Sequence, residues 1–156
     1  MKAYIQIGFV VIALAVAAFV AMNTFSQGGG GRDQGTGVIK VQVVSAADVL
    51  ADYKAHATTP GEGLKTLWFV VHGKVKGTRE DMGKTAILLD TGDERVGIEC
   101  LLKNAADAKK VKEGDEVGIA GKGAAGAMGD IPMTDCWLLP TDEWQGKKSA
   151  RIDVGG

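Results

Sequence analysis

Histidine, cysteine and excess positive charge are all scarce in this chain of 156 residues, and each shortage closes off a class of chemistry. A metal site needs three or four ligating groups that converge. The two histidines, His56 and His72, have no cysteine or carboxylate at ligand spacing, so each reads as a structural or solvent-facing side chain. A net charge of -1 and an isoelectric point near 6.1 leave no basic footprint of the kind that draws proteins to phosphate backbones. Nucleic acid is therefore not an expected partner. The three serines, Ser26, Ser45 and Ser149, fall in a linker, a helix cap and a tail, and none has the strand-to-helix elbow that exposes a nucleophile. The carboxylates Glu80, Asp81, Asp90, Asp93 and Glu94 scatter over two turns and read as solvated loop charges rather than an acid and base pair. The run GKGAAGAMG at 121–129 ends without the Gly-Lys-Ser/Thr signature and opens no helix, so it reads as a loop, not a phosphate cradle. No catalytic residue, cofactor or metal is expected.

Charge is missing altogether between Lys2 and Arg32, and residues 5–22 are apolar except for Gln6. At ~1.5 Å per residue this run is about 27 Å long, close to the ~30 Å hydrocarbon core of a bilayer. Tyr4 and Phe25 extend and anchor its two ends. A secretory signal peptide begins in the same way. Here the run ends AFVAM, with bulky Phe19 in the minus-three place for cleavage after Ala21, and only the earlier Ala15-Val16-Ala17 has the small-x-small form. Residues 1–25 are therefore read as an uncleaved, single-pass anchor in the cytoplasmic membrane. Lys2 precedes the run and nothing basic follows until Arg32, which keeps the N-terminus inside and sends residues 26 onward to the periplasmic or extracytoplasmic side. Ala13, Ala17 and Ala21 repeat every four residues, the small-xxx-small spacing that lets membrane helices pack closely. Alanine is common in such helices, so plain composition accounts for the same pattern.

Past the anchor, QGGGGRDQGTG leads into the soluble part, and residues 26–37 read as a flexible linker averaging about 20 Å end to end. Residues 38–66 form an extension: a β-branched stretch at 38–44, then Ser45 as N-cap with Asp48 in the first turn of a helix that ends near His56, before the breakers Thr58, Thr59, Pro60 and Gly61. From Leu67 the period becomes two, with Leu67, Phe69, Val71 and Val75 on one face and Trp68, Val70, His72 and Lys74 on the other. Residues 85–90 give a second strand and Val96, Ile98, Cys100 and Leu102 one face of a third. Asn104 caps a short Ala-rich helix to Val111. Two more strands follow at 116–122 and 131–139, and Pro140 stops the last. The order β-β-β-α-β-β over about 75 residues predicts an all-β domain with helices, a five-stranded OB barrel at 67–140 whose inter-strand helix plugs one end. A tail, residues 141–156, follows.

Residues also carry a resemblance. SAADVLADY at 45–53, VHGKV at 71–75, GIEC at 97–100, KEGDEVGIAG at 112–121 and DC at 135–136 resemble the tRNA-anti-like family of OB-fold proteins. The resemblance covers residues 45–139 and implies the fold and an envelope setting, but no reaction. Strands two and three of an OB barrel carry the usual ligand surface, where single-strand binders place aromatics and Lys/Arg. Thr85, Ala86, Leu88, Arg95 and Glu99 offer little of either. A haem-carrying OB barrel attaches haem through a histidine near its C-terminal end, and TDEWQGKK at 141–148 has none. A small-ligand or haem carrier is therefore the alternative, with single-strand binding last. The favoured reading is a non-catalytic, membrane-anchored interaction module, an accessory subunit whose partners are membrane or envelope proteins. Trp144, alone beyond the last strand, either docks back on the barrel or meets a partner. Cys100 and Cys136 fall on neighbouring strands of the barrel order, in an oxidising compartment, and so are expected to bridge, two separate buried thiols being the other reading. A bridge would close a loop of about 37 residues and add roughly 3 to 4 kcal/mol.

Overall fold

The structure, a computed structural model, describes residues 37–59, 62–126 and 129–155. The predicted anchor, most of the linker and, with them, Ala13, Ala17 and Ala21 lie outside the described residues. Among the described residues no helix is long and apolar enough to cross a membrane.

Strand β1, Val38–Ser45, ends where Ser45 turns the chain into helix α1, Ala46–Ala55. The Ser45 hydroxyl accepts from the Asp48 N–H at 3.1 Å, the N-cap its sequence calls for. At the other end Lys65 Nζ donates to the His56 carbonyl at 2.6 Å, placing a cation on the helix C-terminus. Five strands then build the barrel: β2 Trp68–Asp81, β3 Lys84–Asp93, β4 Val96–Leu102, β5 Glu116–Gly123 and β6 Ile131–Leu139. Their order is β3-β4-β6-β5-β2, closed by pairing of β2 with β3. Only the β4–β6 contact within the barrel is parallel. Phe69, Val71 and Val75 of β2, Ile87 and Leu89 of β3, Ile98 of β4, Ile119 of β5 and Met133 of β6 point inward and are buried. Each such side chain contributes roughly 1.5 to 3 kcal/mol of transfer free energy.

Two features differ from the sequence reading. Between β4 and β5 the chain makes only a 3₁₀ helix, Ala105–Lys110, capped by the Asn104 side chain accepting from Ala106 N–H at 3.0 Å. None of its residues joins the buried core of the barrel. Helix α1, which precedes the barrel, supplies Ala46 and Val49 to the core instead, with Leu50 and Tyr53 packed alongside. Residues 141–156 also do more than trail away. Helix α2, Thr141–Trp144, is followed by strand β7, Ser149–Asp153, which pairs antiparallel with β1 from Val38↔Asp153 to Gln42↔Ser149. Strand β1 in turn lies parallel to the first half of β2, Val43 opposite Val70.

This continuation of the sheet, with Trp144, explains why β2 is apolar on both faces. Val70 points out of the barrel yet is fully buried, in a separate cluster with Val41, Ala120, Trp144, Ala150 and Ile152. Trp144 is 4% exposed. Its indole lies over Gly118, where a Cβ would collide with the ring, and stacks on His72 with ring centroids 5.4 Å apart at 18°. Trp144 therefore docks back on the barrel, and its place as a possible partner contact is corrected. A buried indole gains more from the space that Gly118 leaves open than from exposure to water.

Trp144→Ala is expected to cost about 3 to 5 kcal/mol, seen as a lower urea midpoint at unchanged slope. Gly118→Val is expected to destabilise as well, by displacing the ring. The double variant should cost less than the sum, because both changes remove one contact.

Candidate functional site

The outer face of β2, β5 and β6 is set row by row by their register. Trp68 lies opposite Lys122, which lies opposite Thr134. Val70 lies opposite Ala120, opposite Trp137, and His72 opposite Gly118, opposite Leu139. The second and third rows are roofed by β1, β7 and Trp144. The first row, with Trp137, stays partly open. There the Trp68 and Trp137 rings meet with centroids 6.0 Å apart at 53°, a tilted aromatic pair. Strand β4 sits beside β6 with Leu102 opposite Cys136, and the Lys103 N–H donates to the Cys136 carbonyl at 2.9 Å. That register sends the exposed Lys103 ammonium over both rings, 5.0 Å from the Trp137 centroid and 5.9 Å from that of Trp68. Two indoles and two lysines, Lys103 and Lys122, thus form one platform. Sequence reasoning missed it. It weighed strands two and three of the barrel, whereas these aromatics stand on strands one and five.

The usual OB ligand face, on β3 and β4, is occupied by its own charges. Arg79 Nη1 pairs with Glu99 at 2.9 Å and Nη2 with Asp130 at 3.4 Å, while Asp130 also accepts from the Gly97 N–H at 2.8 Å. Half-buried Leu88 and Leu101 complete that face. The outer end of the β2–β3 hairpin holds Glu80 and Asp81, both exposed, and the fully open Met82.

Asp52, His56 and Asp93 make contacts within the fold. Asp52 accepts from the Leu64 N–H at 2.9 Å and approaches His56 Nδ1 at 3.4 Å, fastening the loop after α1. Asp93 accepts from the Arg95 N–H at 2.9 Å and pairs with Lys54 at 3.4 Å. Those contacts, the backbone hydrogen bond first, hold its carboxyl below the usual carboxylate range against an opposing desolvation. An open groove of about 670 Å³ lies beside that pair, between α1 and the β3–β4 turn, lined by Ala47, Leu50 and Lys54 among others. No group of three metal-ligating side chains converges among the described residues. In the glycine run, Gly121 belongs to β5, and its missing Cβ leaves room for Cys136 Sγ.

Cys100 and Cys136 are both free thiols in the structure, and the expected bridge is not formed. Their strands are neighbours, but Cys100 pairs with Met133 and Leu102 with Cys136, with a register shift between, so the two are not direct partners. Both are fully buried. Cys136 Sγ donates to the Thr134 carbonyl at 3.6 Å. A hydrogen bond to Cys136, followed by burial, pushes the Cys100 thiol well above its ordinary pKa.

A closed five-stranded β-barrel in the strand order β3-β4-β6-β5-β2 defines an OB fold. The chain belongs to the tRNA_anti-like family, whose sequence model matches residues 1–137. No curated protein matches it. Among solved structures it is similar to a chain of the Stn1-Ten1 complex of S. pombe, at 17% identity and a TM-score of 0.37, covering 50% of this chain and 63% of that one. It is also similar to the OBody AM1L10 bound to hen egg-white lysozyme, at 18% identity and a TM-score of 0.35, covering 49% of this chain and 82% of that one. Likenesses at these scores carry no functional argument.

The raised Cys100 pKa has a consequence for stability. The folded chain keeps this proton to higher pH than the unfolded chain, so the contribution is complete below the unfolded thiol pKa of ~8.5 and is lost as pH rises above it. The urea midpoint of the wild type should therefore fall above that pH more steeply than that of Cys100→Ala. Labelling of the denatured, unreduced protein should find two reactive thiols.

Proposed function

We propose that the chain is a non-catalytic binding module, an OB barrel held at the membrane by residues 1–25, that serves as an accessory subunit of a membrane-associated protein assembly. The observation that carries this reading is the Trp68–Trp137–Lys103 platform. A domain that buries Trp144 to 4% leaves its other two tryptophans partly open, side by side and under an ammonium group. Tryptophan is over-represented where protein interfaces concentrate their binding energy. Asp52, His56 and Asp93 fasten turns and loops, Glu99 and Asp130 hold Arg79, and His72 stacks on Trp144, so the platform is the feature that supports surface recognition as the work of the domain. The uncharged run after Lys2 supports the anchor, with the barrel on the periplasmic or extracytoplasmic side.

Crosslinking in native membranes followed by mass spectrometry tests the reading, with integral membrane or envelope proteins as the expected neighbours. Replacing Ala13, Ala17 and Ala21 together by leucine keeps the hydrophobic length but blocks close helix approach. Insertion should persist, measured by resistance to carbonate extraction, while co-purification with neighbours falls. Tight small-molecule binding by the barrel together with a fully functional triple-leucine variant would assign a carrier role instead.

A further inference from the structure

The platform has a chemistry of its own, and it narrows the kind of partner it suits. Trp68 and Trp137 are tilted by 53°, so together they offer two differently inclined apolar planes rather than one flat stack. A ring that inserts against such a pair gains offset or edge-to-face contact with one indole and shape contact with the other. Lys103 Nζ stands over both rings, and Lys122 rises from β5 directly across the ladder from Trp68. No carboxylate pairs with either ammonium among the described residues. Thr134, opposite Lys122, adds a hydroxyl at the border. The roof made by β1, β7 and Trp144 covers the next rows of the same face and gives the platform a wall on that side.

We propose that this surface recognises a short acidic segment of a partner protein, an apolar ring of aromatic or proline type seated on Trp68 and Trp137 with flanking carboxylates on Lys103 and Lys122. This rests on the interaction-module reading and specifies the partner's contact chemistry. Charge complementarity selects the occupant. The two ammonium groups form a local positive spot on a chain of net charge -1, enough for one or two carboxylates. A polynucleotide needs a continuous positive track with a series of stacking rings. The neighbouring ligand face supplies neither: Arg79 is held by Glu99 and Asp130, Lys84 stands exposed at the start of β3, and Leu88 and Leu101 offer no ring. Proline-rich and aromatic-bearing segments are a known complement of grooves lined by aromatic side chains.

Random peptides displayed on phage and panned against the full chain supply the test, with the recovered sequences synthesised and titrated by tryptophan fluorescence. Recovered peptides should combine Asp or Glu with a ring. Lys103→Glu and Lys122→Glu should each weaken them at least tenfold, Lys103→Arg should retain binding, and the melting temperature should stay unchanged, since Lys103 is exposed and Lys122 only half-buried. Recovery of no peptides, or of peptides lacking acidic residues, overturns the proposal, as does binding indifferent to both charge reversals. Oligothymidylate that binds more tightly than the peptides and competes at the same residues overturns it in favour of nucleic acid. In native membranes, a Lys103→Glu, Lys122→Glu chain that still crosslinks to all wild-type neighbours removes this surface from the interaction but leaves the module reading standing. A wild-type chain that crosslinks to no protein fails the module reading itself.

Discussion

Strand β2 is shared by two hydrophobic cores, and most of the architecture follows from that double duty. Successive side chains of a strand point to opposite faces. Phe69, Val71 and Val75 therefore enter the barrel while Val70 faces outward into the cluster roofed by β1, β7 and Trp144. Burying both faces requires something to cover the outside. The cover can come close because β5 presents Gly118 and Ala120 there, small enough to admit the Trp144 indole and the side chains of β1 and β7. The same strand also pairs with β5 and β1 along its first half and with β3 along its second, which is how it closes the barrel. A change in β2 would be felt by both cores together.

Charge is deployed locally. Asp48 and Lys65 complement the two ends of α1, Asp52 fastens the following loop, Asp93 orders the β3–β4 turn, and Arg79 bridges Glu99 to Asp130 across the conventional OB ligand face. Surface ion pairs of this kind are individually weak. Their effect is on what is left over: on the side of β3 and β4 Arg79 is held by two carboxylates and Lys84 stays exposed at the start of β3, while on the flank of β2, β5 and β6 Lys103 and Lys122 remain next to two tryptophans.

The strands were readable because apolar residues recur at every second position along much of their length, although β2 and β5 bury consecutive residues in part. Residues 131–139 are assigned alike by pattern and by structure, as is the start of β4 at Val96. Ser45 and Asn104 were readable as caps because a side-chain oxygen just before a helix has a local partner. Strand β7 was not. It has only five residues, with Ala150 and Ile152 as its buried pair, and it exists because β1, which begins at Val38, offers a free edge for it to pair with. Trp144 gave two possible fates from sequence, and Gly118 selects between them from a distant strand. The platform was hidden for the same reason, since Trp68 and Trp137 stand on β2 and β6 and touch only through the register that both strands share with β5.

The sequence by itself determined the closed barrel, its capping residues and its membership of the tRNA_anti-like family, because alternation, caps and turn chemistry act over a few neighbouring residues. Tertiary structure alone decided that α1 rather than the 3₁₀ helix fills the core, that the tail returns as β7, that Cys100 and Cys136 sit as offset thiols, and that two tryptophans meet beneath Lys103. Those outcomes depend on strand register or on the space left by a small residue elsewhere in the chain, as Gly121 leaves it for Cys136 and Gly73 for Ala46. Such contacts join residues far apart in sequence, and no local pattern encodes them.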